Sequence, residues 1–415
     1  MQTHLAPRLR DTAEGREAES ILRSCVHCGF CTATCPTYQL TGDELDGPRG
    51  RIYLIKQWLE QPQPDAGGAK ATRLHLDRCL TCRSCETTCP SGVQYSRLLE
   101  IGRQQLAQDV PRRWHARLGR RVLAGWLVHR RLFSMTLAAA RWLRPLVPAH
   151  LRARLPADGV AGDWPAARHS RRILVLQGCV QDSATPGTNA AAARVLDHVG
   201  ISAIAVARAG CCGAVALHLD DADGARQAAR NNIDAWWPGV ESGVEAIVAS
   251  ASGCGLMLKE YGQLLADDPL YAYKAQRVSA LVRDLAEVLD GVDLGGLARD
   301  THVPVAVHVP CTLQHGQQLP DLLPRLLERA GYRLTQTPDS HLCCGSAGTY
   351  SLMQADFSAR LLTRKLDALQ SGQPGRIVTA NVGCQLHLAS QAQLPVSHWI
   401  ELFDPDGTGL RPGSG

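Results

Sequence analysis

Two runs of cysteine carry the most specific chemistry in this chain. Cys25, Cys28, Cys31 and Cys35 stand in C-V-H-C-G-F-C-T-A-T-C-P, and Cys79, Cys82, Cys85 and Cys89 in C-L-T-C-R-S-C-E-T-T-C-P. Both follow C-x2-C-x2-C-x3-C-P without a gap. Three closely spaced thiolates can ligate three irons of a cube, and the fourth cysteine of such a run reaches the other cluster. The spacing therefore assigns Cys25, Cys28, Cys31 and Cys89 to one 4Fe-4S cluster and Cys79, Cys82, Cys85 and Cys35 to a second. Pro36 and Pro90 turn the chain after each fourth ligand, a place that suits a fixed φ. Tetrahedral zinc also uses C-x2-C, but two complete copies ending in Cys-Pro favour cubane clusters. Crossed ligation would put the two clusters close together, as electron transfer requires.

Eight further cysteines fall into an internal repeat. The first copy holds Cys179, the pair Cys211 and Cys212 followed by glycine, and Cys254. The second holds Cys311, the pair Cys343 and Cys344 followed by glycine, and Cys384. Thirty-one residues separate the first cysteine from the pair in both copies, and 41 or 39 separate the pair from the last. Repetition of the whole set argues against a mere packing role. Soft ligands point to iron–sulfur or zinc, so each set is a candidate additional site. Gly213 and Gly345 would let the backbone pass close to a metal. His308, His315, His341 and His387 lie near the second set and are weaker candidates, because an isolated histidine is more often a core or surface residue.

These residues need elements to position them. In each copy a short β-rich segment directly precedes the first and last cysteine, with helical stretches such as NAAAARVLDHVG and LPDLLPRLLERAG between, ended by Gly200 and Gly331. Alternating strands and helices predict α/β layers on a parallel sheet, with cysteines converging at one edge. Between the ferredoxin-like runs, Ile52, Leu54, Ile55, Trp58 and Leu59 predict a helix starting just after Gly50 and ended by Pro62 and Pro64, its apolar side chains serving core packing. Residues 101–157 contain twelve arginines and one acid, Asp109, with Trp114, Trp126, Phe133 and Trp142 among leucines. That composition suits amphipathic helices with a basic face on a membrane surface or a partner subunit. Residues 157–170 read as a linker.

The 415 residues are enough for two or three domains, each with its own core. The expected fold is a multidomain α+β and α/β chain. A helical ferredoxin-like domain for two clusters spans 1–100 and an arginine-rich helical connector 101–170. Two repeated cysteine-rich α/β domains follow at 171–300 and 301–402. The formal charge of +5 is too mild to select a polyanionic partner, and no nucleic-acid-binding motif is present. The opening MQTHLAPRLRDTAEGREAES has no apolar secretory core, and no run of 18 apolar residues suggests a transmembrane helix. The expected location is the cytoplasm or the cytoplasmic face of the inner membrane, where thiols stay reduced. No G-x-G-x-x-G unit follows a strand, so no dinucleotide site is expected.

The stretches SCVHCGFCTATCPTYQLTGDELDGPRGRIYLIKQ, LDRCLTCRSCETTCPSG, AGCCGA, ARNNIDAWW, SGCG, PCTLQH, DSHLCCGSAGTY and HWIE resemble the iron–sulfur subunits of bacterial glycolate oxidase, also called glycolate dehydrogenase. The two C-terminal copies also resemble the cysteine-rich domains of heterodisulfide reductase subunits and of the membrane-anchoring subunit of anaerobic glycerol-3-phosphate dehydrogenase. The resemblance implies an electron-transfer subunit without activity alone, working beside an FAD-containing subunit and a second FAD-binding-type subunit. It implies that glycolate is oxidised to glyoxylate in those partners and that electrons pass towards respiratory quinone. An electron-transfer subunit for another 2-hydroxy acid or for glycerol 3-phosphate, and a metal-stabilised assembly scaffold, are the alternatives. The fuller cysteine-rich motif ends in C-x2-C, where this chain has Cys254 with Met257 and Cys384 with His387.

Overall fold

The computed structural model describes residues 1–63, 65–144, 156 and 161–407. Pro64, the connector arginines Arg152 and Arg154, and the linker positions 157–160 lie outside the described residues. The first hundred residues are helical. Thr12 caps the helix Ala13–Ser24 by accepting from the Gly15 N–H, and the chain enters the first cysteine run from that helix. Between the runs lie the helices Pro48–Glu60 and Ala66–Asp77. The first starts at Pro48, three residues before the expected start, because proline in the first turn forfeits no hydrogen bond and presets φ. Its Ile52, Ile55, Trp58 and Leu59 are buried with Leu98, Leu99 and Ile101 of the helix Tyr95–Asp109. Gly102 permits that close crossing, since a Cβ there would stand 2.8 Å from Ile55 Cγ1.

Beyond the connector the chain forms two parallel sheets. Strands β1 (Arg171–Leu176), β2 (Ile201–Ala205), β3 (Ala246–Ala249) and β4 (Val282–Asp284) lie in the order β2-β1-β3-β4. Strands β5 (Val305–His308), β6 (Arg376–Thr379) and β7 (Val396–His398) lie in the order β5-β6-β7. Every pairing is parallel, and β3 and the interiors of β5 and β6 are apolar and buried, as strands covered on both faces require. The sequence repeat is thus a structural one, with β1, β3 and β4 matching β5, β6 and β7. The match to β2 is reduced to a single bridge from Val305 to Leu334. Helices Pro186–His198 and Leu322–Arg329 cross between strands and stop before Gly200 and Gly331, both left-handed.

The two copies do not have wholly separate cores. Ile173, Val175, Ala192 and Val195 of the first belong to one continuous apolar cluster with Val305, Leu323, Leu327, Trp399 and Phe403 of the second. Polar clamps close this seam. Arg194 makes a buried bidentate pair with Asp404, both distances 2.7 Å, and Thr188 donates to Glu401.

The connector forms the helices Trp114–Val128 and Arg130–Trp142, with Phe133 and Leu137 turned inward beneath Trp126. The connector arginines divide into two sets. Arg112 and Arg120 pair with both Asp77 and Asp220, and Arg103 donates to the carbonyls of Leu76 and Cys79. Arg112 and Arg120 thereby tie the N-terminal helices to the first repeat, and Arg103 braces the second cysteine loop. Arg113, Arg117, Arg121 and Arg131 are exposed. Among the described residues, no helix is long and apolar enough to cross a membrane.

Burial pushes the Glu401 carboxyl up to about 7 from 4.5, against the hydrogen bonds from Thr188 and the His398 backbone that favour its charge. The folded chain therefore keeps this proton where the unfolded chain has lost it, so stability falls as pH rises between those values. Glu401→Gln should remove a pH-dependent loss of roughly 3 kcal/mol. Apparent Tm of wild type and variant measured from pH 5 to 8 should diverge, the wild type falling more steeply; parallel curves would refute the assignment.

Candidate metal centres

The two N-terminal cysteine loops fold alike. In each run the third and fifth residues are left-handed: His27 (57°) and Gly29 (85°), then Thr81 (54°) and Arg83 (60°). Each loop then enters a single helical turn, Phe30–Ala33 or Ser84–Thr87. Three of those four residues carry a Cβ, at a cost of about 1–2 kcal/mol each, so tertiary packing must hold them in place. Cys25, Cys28, Cys31 and Cys89 line one small pocket. Cys35, Cys79 and Cys82 line the other, and Cys85 borders both. The fourth cysteine of each run thus lies at the pocket of the other run. No three of these eight sulfurs crowd within 4.8 Å of one another, a spread that suits thiolates on separate irons rather than on one ion.

The thiols resist ionising without a cation. Burial, then the neighbouring Cys25, Cys89 and Cys28, pushes Cys31 up to about 11. Burial likewise raises Cys82 and Cys85, with nearby thiols adding to it. A bound cationic centre would relieve this repulsion, so the donor set fits iron–sulfur clusters. Polar groups surround the second pocket. Thr37 Oγ1 stands 3.3 Å from Cys35 Sγ, while Tyr95 Oη and the Thr81 N–H donate to Cys79 Sγ at 3.6 and 3.5 Å. Buried Arg51 lies beneath it, donating to the His75 carbonyl (2.8 Å) and to Thr37 Oγ1 (3.1 Å). Burial alone would lower the Arg51 pKa, but Cys79, Tyr95, Cys35 and Asp46 hold it raised. The first pocket is nearer the surface, with Cys28, Val26 and Phe30 exposed.

All eight cysteines of the repeats line one cavity of about 1280 Å³ between the two copies. Its wall also takes Leu80, Thr81 and Arg83 from the second loop and Trp126, Phe133 and Leu137 from the connector. Cys179 and Cys211 stand 3.5 Å apart, and Cys311 and Cys343 4.0 Å. Cys211 is held below the usual thiol range because it accepts from Cys179, Cys212 and the Gly213 N–H. The second loop abuts the second repeat. Leu80 packs with Cys343 and Tyr350, with Cys82 and Cys311 alongside, and Thr87 Oγ1 lies 2.9 Å from His315 Nδ1.

The histidines divide differently from the sequence expectation. His315 serves Thr87 and the carbonyl of His341. His387 Nε2 lies 3.2 Å from Ser358 Oγ, and Met257 is buried in the first repeat's core. His308 alone joins thiols closely, within 4.8 Å of Cys344 and Cys384. Gly213 and Gly345 bring their N–H groups to 3.4 Å from Cys211 and Cys343 Sγ, and backbone conformation and packing also require glycine there. Their φ values are +94° and +90°, and a Cβ would meet Ala225 O at 3.0 Å or Ser358 O at 2.7 Å. The loops are braced by residues that spacing did not single out. Asn232 accepts from the Gly210 N–H and donates to Cys211 O, and Tyr261 Oη donates to Cys212 O. The available signal was an asparagine inside a helical stretch, where its propensity is poor. His218, pushed down to about 4 by burial and then by Arg103 and Arg83, and the ion pair of Arg83 with Glu260 also border the cavity.

Gly345→Ala should therefore lower the apparent Tm more than Gly200→Ala. The second has a left-handed φ but nothing within 4 Å of the added Cβ, leaving a cost of about 1–2 kcal/mol. Equal shifts in thermal unfolding would show that the contact with Ser358 does not matter.

The comparisons with known proteins follow the same division. Residues 21–93 match the family described as 4Fe-4S dicluster domain, and residues 173–259 and 305–389 each match the cysteine-rich domain. The chain is 54% identical to the glycolate oxidase iron-sulfur subunit of Escherichia coli, over 97% of this chain and 98% of that one. It is 30% identical to the probable glycolate oxidase iron-sulfur subunit of Bacillus subtilis, over 92% and 91%. Lactate utilization protein A of Bacillus velezensis is 25% identical over 53% of this chain and 91% of that one. Similarity extending through the clusters' loops, the connector and both repeats places the chain in one family: it belongs to the glycolate oxidase iron–sulfur subunits, electron-transfer components of an oxidoreductase.

Proposed function

We propose that this chain relays electrons from the flavin-dependent oxidation of glycolate to glyoxylate, carried out in FAD-containing partner subunits, towards the respiratory quinone pool. The observation that carries this reading is the line of thiol sites. A surface-near pocket adjoins a buried one, and the buried one abuts a cavity bordered by eight more cysteines. Cys25, Cys28, Cys31 and Cys89 hold one 4Fe-4S cluster; Cys79, Cys82, Cys85 and Cys35 hold the other. The segments 1–100, 101–170, 171–300 and 301–402 are its working units.

When bound, such clusters accept and release single electrons. The protein's own residues set how readily that happens. Tyr95, Thr37 and the Thr81 N–H direct hydrogen bonds at sulfurs of the buried pocket. Arg51 adds a fixed buried positive charge beside them. Hydrogen bonds and positive charge favour the more negative, reduced state, so these groups offset the burial of the second centre. Leu80 and Cys82 connect it by direct packing to the second repeat.

Anaerobically prepared protein should hold about eight irons and eight acid-labile sulfides in these two sites. Cys89→Ser should damage the centre of the first run and Cys35→Ser that of the second, read by EPR. Loss of the locally encoded centre instead would reject the crossed ligand sets. The chain alone should not oxidise glycolate, whereas adding its flavoprotein partners should restore glycolate-dependent dye reduction. Turnover by the flavin-free chain would overturn the relay.

The relay sits peripherally on the cytoplasmic face of the inner membrane. Trp114, Leu118 and Val122 are exposed at i, i+4 and i+8 on one connector helix, with Trp114 74% exposed. Arg113, Arg117 and Arg121 run directly beside that stripe, the composition of a helix that lies in an anionic lipid interface. At about 1 kcal/mol per arginine, changing all three to glutamate should weaken cosedimentation with phosphatidylserine vesicles at least ~10-fold. Binding should also weaken as salt rises. Undiminished cosedimentation of the variant would assign this face to a subunit contact instead.

A further inference from the structure

The thiols of the second repeat do not stand as those of the N-terminal pockets do. A ligand atom each from His308, Cys344 and Cys384 gathers within 4.8 Å, and all three residues are buried. Donors to one zinc ion at bond lengths of 2.0–2.3 Å stand roughly 3.5–3.8 Å apart in a tetrahedron. Closing from the observed spacing requires movement of about 1 Å or less. The cubane ligands of the N-terminal domain, spread over four irons, form no such triad. Cys311 and Cys343 lie 4.0 Å apart on the side of Cys82, and Cys343 in turn meets Cys344, outside the triad with His308.

Position within the repeat sharpens the case. His308 ends β5 three residues before Cys311. The equivalent residue in the first copy, three before Cys179, is Leu176 at the end of β1, also buried. Packing at that place is satisfied by an apolar side chain, so the fold does not demand an imidazole there. The His308 ring is tied down at one nitrogen. Its Nδ1 lies 3.0 Å from Thr379 Oγ1 on the neighbouring strand β6, which leaves Nε2 as the ligating nitrogen; such a second bond fixes ring and tautomer in metal sites. His387, at the position of the motif's missing cysteine, is turned to Ser358 instead.

We infer that His308, Cys344 and Cys384 bind a single divalent ion of zinc type, so that the second repeat carries a mononuclear centre rather than an iron–sulfur cluster. Two Zn–S bonds and one Zn–N bond form, and the protons of both thiols leave to solvent. The fourth tetrahedral position opens to the cavity that Cys344 and Cys384 border. The ion pins β5, the Cys-Cys-Gly loop and the helix Val382–Ala389 to one point. It is redox-silent, so it takes no electron itself.

The test is metal analysis of the full-length chain prepared anaerobically, joined to zinc K-edge EXAFS. Wild type should retain about one zinc per chain beyond its irons, in a mixed sulfur and nitrogen shell. His308→Ala should retain less than a tenth of that zinc with iron unchanged. His308→Cys should keep zinc in an all-sulfur shell, and His387→Ala should behave as wild type. Zinc absent from wild type, an all-sulfur shell in wild type, or zinc indifferent to His308→Ala would overturn the inference. Extra iron that disappears with His308→Ala would overturn it too, by making His308 a cluster ligand. Iron below eight with zinc intact would sink the two-cluster relay and leave this site standing, so the two readings fail separately.

Discussion

Thiols packed beside one another in a protein interior repel as soon as they ionise, and they ionise only when a cation makes it favourable. That constraint runs through this molecule. Cys31 is driven up to about 11 by burial and by its neighbours, and Cys82 and Cys85 are raised in the same way. The sulfurs stay together because the surrounding structure holds them. His27, Thr81 and Arg83 accept left-handed conformations. Asn232 and Tyr261 hold one Cys-Cys-Gly loop by its carbonyls. Arg51 and Lys365 are buried cations set against sulfur.

Holding two thiol sets opposite each other also demands a rigid relation between the repeats. The shared apolar core supplies it, and the polar contacts across the seam set its register. Arg194 reaches across to Asp404, and Thr188 to Glu401. The cavity lies between the two copies, so its shape follows from this docking and not from either sheet alone. The reduced counterpart of β2 in the second copy leaves the cysteine-bearing strand ends unaffected, since β5 and β6 remain directly paired.

The connector couples the remaining pieces. Arg103, Arg112 and Arg120 meet acids and carbonyls of the cluster domain and the first repeat, while Phe133 and Leu137 cover part of the cavity. The same two helices show arginines and a tryptophan to solvent. One stretch of sequence therefore positions the relay internally and offers a basic, apolar face externally. Its two sets of arginines differ only in what stands opposite them.

Cysteine spacing alone determined the two-cluster segment, the repeat and the strand-then-cysteine order, because short-range ligand geometry and strand periodicity are local properties. The Pro48 start of the helix was missed by three residues because the apolar stripe begins later than the backbone does. Roles that depend on partners far along the chain were not legible. Gly345 is explained by Ser358 O, which only the helix that follows can present. Arg112 differs from Arg113 because Asp77 and Asp220 meet it in space. His387 matched the cysteine-rich motif by position, yet His308, 79 residues earlier in the chain, is the imidazole beside Cys344 and Cys384. Parallel pairing of β5 with β6 decides that, by setting two strand ends side by side and bringing His308 and Thr379 into contact.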